Sequence, residues 1–413
     1  MKILKNLKTL LLIALSATPL FAINGDLLIG LGAKSRAMGG LGVAKSFGAE
    51  SALLNPAMLS SVEGTEISVT TTFFHPVAYY DGGAGEEYST SDLTLIPELS
   101  FAQKVNDNFY WGAGIWVVGG LGADYSESGD AATGGNGTFQ MQTVLGLIKF
   151  GVPLVYKESG LSVGFTPILQ YGELDINYKT PDGAGGVNNV ADGSSKDFGL
   201  GYNFGLSYDL TQQGVDDLTV GVVYKSSIKM NYKGQISAAT QPFATSLGGA
   251  LSDDLEQPAE IGLGVSYQFL ENHALAFDYK YVSWEDAKGY KDFGWKNQNV
   301  YVLGYEYKQK EWAFRAGYNY AKSPLRELDG TTAKGATLNL LNLLGFPVNI
   351  ESHYGVGGSY SFNDDLSADV AFVYADEQSD AYNTSALVSQ GMASEISVRH
   401  KQMSTSLQLT YVY

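Results

Sequence analysis

The strongest constraint on this chain is a repeated alternation of apolar with polar or small residues. From Ile261 to Phe269 every second residue is large and apolar, and the residues between them are Gly, Ser or Gln. Segments 274–286, 311–322 and 366–376 show a similar alternation. Because successive side chains of a β-strand point to opposite faces, this period of two predicts strands with one apolar face. It leaves open whether those faces point inward, as in a soluble sandwich, or outward, as in a membrane barrel.

The connections between the predicted strands favour the barrel. Short turns such as 106–108, 309–310 and 363–365 alternate with long connections such as 120–137 and 230–258. Transmembrane barrels have short periplasmic turns and longer external loops, whereas a sandwich has no reason to alternate in this way. We therefore predict an all-β fold, a transmembrane antiparallel β-barrel of about fourteen strands within residues 64–413. The predicted strands are 65–78, 94–105, 109–119, 138–150, 161–177, 198–210, 217–229, 259–269, 274–286, 298–309, 311–322, 352–362, 366–376 and 402–413.

Both ends of the chain lead to the same expectation. A basic start and a short apolar run precede Ala22, an order typical of a signal peptide, so we expect residues 1–22 to be removed. Cleavage after Ala17 is the alternative. The apolar run is shorter than the roughly 20 residues that a membrane-spanning helix needs. Residues 407–413 alternate and end on Tyr413, as expected for the last strand of a bacterial outer-membrane barrel.

Composition excludes several classes of function. The sequence has no Cys, which excludes disulfides, thiolate metal sites and a cysteine nucleophile. A net charge of −17 argues against nucleic-acid binding, because the phosphates would be repelled. Acidic residues crowd into connections such as 81–92 and 253–256, which we interpret as solvated loops in preference to calcium sites. We predict no metal and no cofactor.

Residues 23–63 do not alternate like the strands. They are rich in Gly and Ala and too few for a convincing separate domain. A barrel of about fourteen strands needs filling or leaves a channel, so we expect this segment to form a plug inside the lumen. Asn55-Pro56-Ala57 predicts a helix start within it, because Asn caps well and Pro suits the first turn.

A series of short motifs resembles the FadL-type outer-membrane transporters, which carry long-chain fatty acids and, in some branches, aromatic hydrocarbons. The resemblance implies a fourteen-stranded barrel with an Asn-Pro-Ala motif in an N-terminal hatch. It also implies an inward kink in the third strand, an outer ligand groove between long loops and an inner lumenal pocket. The motifs run in order from residue 30 to the end of the chain: 32–40, 54–57, 111–114, 120–125, 224–226, 257–260, 281–284, 303–307, 314–318 and 323–324.

The resemblance also implies candidate ligand-binding residues. Phe243, Leu247 and Leu251 are candidates for the groove, and a plain loop core is the alternative. Lys296 matches a lumenal Lys of the fatty-acid carriers and is predicted to meet an anionic head group. An exposed loop Lys is the alternative interpretation.

Three glycines mark the predicted kink. Gly119, Gly120 and Gly122 follow the aromatic start of the third strand. Glycine has no side chain to pack and permits bulged backbone, so these residues predict a break through which ligand leaves sideways into lipid. The alternative is that they only begin the next loop.

The function that we expect is passive uptake of hydrophobic compounds, by a monomer that contacts only outer-membrane lipid and its solute. A general porin is one alternative, but it would need no plug. An outer-membrane lipid hydrolase is another, and it would need Ser, His and an acid within hydrogen-bond reach. The candidates for such a base are His75, His273, His353 and His400, none with a recognisable nucleophile motif, so we expect no enzyme.

Overall fold

Fourteen strands close into one antiparallel barrel in the computed structural model, which describes residues 23–413. The predicted signal peptide lies outside that range. Each strand pairs with its neighbour in the chain, and β14 pairs with β1 from Ser397–Asp81 to Val412–Glu66. The strands are β1 (Thr65–Asp81), β2 (Thr94–Lys104), β3 (Phe109–Asp124), β4 (Gln142–Gly151, continued by Leu154–Glu158), β5 (Leu161–Pro181), β6 (Ser194–Asp209), β7 (Leu218–Lys225), β8 (Glu260–Leu270), β9 (His273–Val282), β10 (Gln298–Gln309), β11 (Trp312–Ala321), β12 (Ser352–Ser361), β13 (Leu366–Asn383) and β14 (Glu395–Val412).

The apolar faces of these strands point outward. Leu263, Phe314, Val356 and Leu409 are all exposed on the outer surface, while their chain neighbours face the lumen. Near the short turns, aromatic rings gather on this surface; the rings of Trp312 and Tyr360 lie 4.5 Å apart. An apolar outer band with aromatic residues at its edge is the pattern of a barrel that faces lipid. The fold is therefore the membrane barrel and not the sandwich.

Two of the predicted loops are wrong in extent. In the connection 178–197, β5 continues to Pro181, β6 begins at Ser194 and a short strand spans Val187–Val190; in 377–400, β13 continues to Asn383 and β14 begins at Glu395. These extensions carry polar residues on both faces, so they lack the apolar alternation that identified the membrane-embedded parts. β4 was predicted to end at residue 150, but after a break at Val152 and Pro153 it continues as a second short segment.

Residues 24–61 lie inside the barrel. They form a short hairpin (Ile23–Asn24 with Leu27–Leu28), α1 (Gly32–Ala37), α2 (Ser51–Leu54) and two 3₁₀ turns, Gly48–Glu50 and Pro56–Ser61. We refer to this segment as the plug. Its backbone lies against glycines on the lumenal faces of the strands, where a side chain would collide with it. A Cβ on Gly317 would lie 2.5 Å from Met38 Cα. Plug backbone atoms also approach Gly164, Gly205, Gly221, Gly264 and Gly355.

Three helices belong to the extracellular loops: α3 (Ile236–Thr240), α4 (Ala244–Leu247) and α5 (Ala333–Gly345). Thr332 caps α5 by accepting a hydrogen bond from Gly335 N at 3.1 Å. Almost all of α5 is buried, and it packs against β3, β13 and β14. The sequence predicted only a long connection there. In the described part of the chain, no helix has the length and apolarity needed to cross a bilayer.

Candidate ligand path

The wall of the barrel is interrupted between β2 and β3. Their pairing ends at Glu98 and Trp116. Above that point Thr94–Pro97 remains paired with β1, whereas β3 shifts register between Val117 and Gly119 and leaves β2. Pro97 has no N–H to donate, so it suits an edge strand. The register shift lies next to Gly119, and an opening for ligand at the three glycines stays a prediction.

The plug hairpin occupies this gap. Leu27 pairs with Gly119, and Gly120 N donates to Asp26 O at 3.0 Å. A Cβ on Gly119 would lie 2.5 Å from Asp26 O, so only glycine permits the approach. Gly122 lies further along β3, paired with Val144. The hairpin thus supplies hydrogen bonds that β2 does not.

The tip of the hairpin is anchored by Asp26. This carboxylate is fully buried and accepts hydrogen bonds from Gln257 Nε2, at 2.7 Å, and from the Tyr290 hydroxyl. Burial raises the pKa of Asp26 to about 6. Tyr290 forms an aromatic cluster with Trp284 and Trp295, with ring centroids 4.7 Å from each. The sequence analysis missed this anchor, although Asn24-Gly25 before Asp26 is a strong hairpin signal.

The hairpin separates two lumenal pockets. The upper pocket, nearer the extracellular loops, has a volume of about 20 Å³ and is lined by Leu121, Leu145, Leu174, Ile176, Ile236, Leu255, Tyr290, Phe293, Trp295 and Phe346. The lower pocket, of about 80 Å³, is lined on the hairpin side by Asn24, Leu27 and Leu28 and on the wall side by Val118 of the β3 bend. Leu27 of the hairpin thus lines the lower pocket, and Tyr290, which binds the hairpin tip, lines the upper one.

Three lysines line the lower pocket. Lys225 Nζ lies 2.9 Å from Glu260 Oε1, and Lys280 Nζ donates to Gly40 O at 2.7 Å. Lys149 has no hydrogen-bond or ion-pair partner among residues 23–413. An enclosed ammonium without an ion-pair partner is unfavourable, and Glu260 is the carboxylate that shares the lining with these lysines. The sequence analysis passed over Lys149, although it is the one charged residue of the predicted strand 138–150.

Lys296 lies outside the lower pocket. The structure places it in the extracellular loop before β10, half-exposed, with Nζ 2.9 Å from Glu285 Oε1. It does not line either lumenal pocket. Its contact with a ligand stays a prediction.

The three groove candidates are largely shielded from solvent. Phe243 and Leu247 are buried, and Leu251 packs against the same apolar cluster. The Phe243 ring lies 6.5 Å from that of Tyr178 on β5. None of the three lines the upper or lower pocket. Their part in ligand binding remains a prediction.

Asn55-Pro56-Ala57 joins the plug to the wall. Asn55 Oδ1 accepts from Ala57 N at 3.1 Å and caps the 3₁₀ turn that begins at Pro56. Its amide Nδ2 donates to Val43 O at 2.6 Å and to Leu206 O of β6 at 3.3 Å. The Asn side chain is fully buried, so one residue caps a turn and also contacts the barrel.

The outer face of the wall carries a depression of about 680 Å³ at the break in β4. Its lining is almost entirely apolar and includes Leu99, Ile115, Phe150, Val152 and Leu169, together with Ile67, Phe101, Ala113, Gly114, Gly151, Pro167, Ile168 and Leu200. It begins close to the short turns and reaches about half-way up the strands. It lies on the lipid side of the same strands whose lumenal side borders the lower pocket.

Two of the four histidines form hydrogen bonds with side chains of the barrel wall. His273 Nδ1 hydrogen-bonds with the Tyr305 hydroxyl at 2.6 Å, and His400 with Gln402 at 3.2 Å. Both contacts tie together side chains of the barrel wall. Within residues 23–413 there is no cluster of three or more His, Cys, Asp or Glu side chains that could hold a metal ion.

A plugged barrel with an interrupted wall defines a class of outer-membrane channel. Residues 21–413 match the family described as outer membrane protein transport protein (OMPP1/FadL/TodX), and the chain belongs to this family. Its members are transporters of hydrophobic compounds in the outer membrane of Gram-negative bacteria.

Individual relatives agree with this assignment. The chain is 24% identical to the long-chain fatty acid transport protein of Escherichia coli O6:H1, over 78% of this chain and 79% of that protein. It is 24% identical to outer membrane protein P1 of Haemophilus influenzae, over 71% of this chain and 68% of that protein. The fold matches the crystal structure of the Pseudomonas putida toluene transporter TodX with a TM-score of 0.68 and 20% identity, covering 93% of this chain and 99% of that one.

Proposed function

We propose that this protein admits hydrophobic compounds with an anionic head group, such as long-chain fatty acids, and releases them sideways into the membrane. The compound enters the upper pocket, passes the hairpin, and reaches the lower pocket beside Lys149. It then leaves through the gap between β2 and β3. The observation that carries this proposal is the end of β2–β3 pairing at Trp116, next to a pocket that contains an unpaired cation.

The hydrophobic effect favours release of an acyl chain sideways into lipid over release through an aqueous channel. Each buried methylene contributes about 0.8 kcal/mol relative to water, so a long acyl chain loses that stabilisation if it crosses an aqueous channel. The apolar depression outside the gap keeps the chain out of water during transfer. Below the lower pocket, by contrast, the plug is tied to the wall by contacts such as Lys45–Glu306, 2.7 Å.

Neutral hydrocarbons are the second candidate. The upper pocket has an apolar lining, and the structural relative from P. putida is named as a toluene transporter. The lysines of the lower pocket favour the acid. A porin for hydrophilic solutes is disfavoured, because the plug fills the lumen and the pockets around it are small.

A disulfide that can be formed and reduced across the gap between β2 and β3 tests the proposal. The sequence has no Cys, so Pro97→Cys with Val117→Cys introduces one pair immediately above the last β2–β3 pairing. Uptake of radiolabelled oleate should fall in oxidised cells that lack their own fatty-acid channel, and reductant should restore it. The matched control is Phe101→Cys with Ala113→Cys, a directly paired position in the closed part of the same two strands. Full uptake through the oxidised lock would show that ligand leaves elsewhere.

A further inference from the structure

We propose that the preferred solute is a hydroxylated fatty acid. Its carboxylate lies at Lys149, and its hydroxyl, further along the acyl chain, binds Asn319 on the opposite wall of the lower pocket. The inference rests on the proposed function, because it names the chemical class of the solute in the same pocket. It is carried by side-chain oxygens that line this pocket and accept no hydrogen bond within the described part of the chain.

The lining of the lower pocket contains three amide side chains whose oxygens are unpaired. Asn24, Gln257 and Asn319 all line the pocket, and each is no more than 8% exposed. Asn24 Oδ1, Gln257 Oε1 and Asn319 Oδ1 have no hydrogen-bond partner among residues 23–413. A buried acceptor without a partner is unfavourable. The lining therefore suits a solute that donates hydrogen bonds as well as one that accepts them.

The orientation of two of these amides is fixed by their nitrogens. Asn319 Nδ2 donates to Gly39 O of the plug at 3.0 Å, and Gln257 Nε2 donates to Asp26 Oδ2 at 2.7 Å. Exchanging nitrogen and oxygen would set two acceptors against each other, so the unpaired group of each amide is its oxygen. A hydroxyl can donate to such an oxygen. A carboxylate cannot, because it carries acceptors only.

The charges in the lining favour one carboxylate together with a neutral donor. Glu260 lies 2.9 Å from Lys225, whereas Lys149 has no ion-pair partner among residues 23–413. One acid group can therefore pair with Lys149, and Glu260 disfavours a second one. With Lys149, Lys225 and Lys280 in the same lining, an ammonium would be repelled as the donor. A hydroxyl donates without adding charge.

The sites for the carboxylate and the hydroxyl are far apart. Lys149 is on β4 and Asn319 is on β11, and these strands lie on opposite sides of the fourteen-stranded ring. Both residues nevertheless line one pocket, whose lining also includes Leu28, Leu53 and Val300. These apolar side chains suit an acyl chain. The hydroxyl must therefore be separated from the carboxylate by a stretch of that chain.

The test compares oleate with ricinoleate, its 12-hydroxy derivative, by competition with a fluorescent fatty acid in detergent. The readout is the ratio of the two dissociation constants, because partition into detergent is the same for every variant. Asn319→Leu removes the acceptor and should weaken ricinoleate roughly five-fold relative to oleate. Asn319→Ser shortens the side chain, should shift the ratio in the same direction, and decides the test if the Leu variant does not fold. 2-Hydroxyoleate, whose hydroxyl adjoins the carboxylate, should keep its wild-type ratio to oleate in both variants.

Asn203→Leu is the matched control. Asn203 is a buried lumenal amide on β6 that also donates to the plug, to Leu53 O at 3.0 Å, but it does not line the lower pocket. Its variant should keep the wild-type ratio of ricinoleate to oleate. An equal shift in Asn203→Leu would overturn the inference, since a loosened plug would then explain the effect.

Two further outcomes would also contradict the hydroxyl site. The first is an unchanged ratio of ricinoleate to oleate in the Asn319 variants while both acids still bind, and the second is a shift for 2-hydroxyoleate as large as that for ricinoleate. Either would leave the proposed function standing. Failure of the wild-type protein to bind any of these acids would instead overturn the proposed function itself.

Discussion

The plug contacts the barrel wall differently at β8 to β12 and at β2 to β4. From β8 to β12 the wall is continuous; β10 and β11, for example, pair without a break from Val300–Ala321 to Gln309–Trp312. There the plug fits because lumenal glycines make room for its backbone. From β2 to β4 the wall is interrupted, and the plug itself supplies the missing hydrogen bonds. Unpaired strand edges are unfavourable in a membrane, so the plug is a structural part of the wall on one side and a packed insert on the other.

The largest effect is expected from replacing a lumenal glycine by a larger residue in the continuous wall from β8 to β12. Gly317→Val places atoms where Met38 and Gly39 lie, and overpacking against backbone should cost about 3 kcal/mol or more. We expect the plug to become sensitive to protease while the barrel still shows heat-modifiable mobility on gels. Gly358→Val on β12 is the control, because the atom nearest to a Cβ at this position is Ala313 O, at 3.2 Å. Equal protease resistance in both variants would contradict the glycine-fitting argument.

The second-largest expected effect is a pH dependence in how tightly the plug hairpin docks between β2 and β3. The raised pKa of Asp26 means that the docked hairpin holds a proton more tightly than a hairpin in water. Docking is therefore strongest at low pH, weakens as the pH rises from about 4 to about 6, and is constant above that range. The difference amounts to about 3 kcal/mol at most. Asp26→Asn should keep the hairpin docked at all pH values.

Hydrogen exchange of the amides in residues 24–29 at pH 5 and pH 8, corrected for intrinsic rates, measures this docking. Wild type should exchange faster at pH 8, and Asp26→Asn should show little change. Asp130→Asn, an exposed capping residue in an extracellular turn, should behave like wild type. If Asp26→Asn retains the full pH dependence, another group controls the hairpin.

The smallest effect separates ligands by charge. Lys149→Met should weaken binding of oleate roughly ten-fold while leaving oleyl alcohol almost unchanged, because only the acid needs the ammonium. Lys296→Met removes a half-exposed ion pair and should affect neither ligand by more than about two-fold. Affinities come from competition with a fluorescent fatty acid in detergent. A selective loss of the acid in Lys296→Met instead would return the head-group site to the extracellular loop.

The sequence predicted the membrane-embedded half of this structure better than its ligand path. Lipid imposes one apolar face on each strand, so the strands could be predicted from local patterns. The proposed path depends on contacts between distant residues, such as Asp26 with Tyr290 and Gln257. No local pattern encodes those pairs. Lys149 illustrates the limit, because its lack of an ion-pair partner among residues 23–413 is visible only in the folded chain.

The pairing of β14 with β1 has a consequence for the order of assembly. Gln408 on β14 accepts a hydrogen bond from Ala33 N of the plug at 2.7 Å and from Thr70 of β1 at 3.2 Å. During synthesis the plug is made before any barrel strand, yet this contact cannot form until the last strand has arrived. The plug therefore cannot be fully seated at this contact before β14 has arrived, although its contacts to earlier strands, such as Gly42 N with Asp278, do not need the last strand.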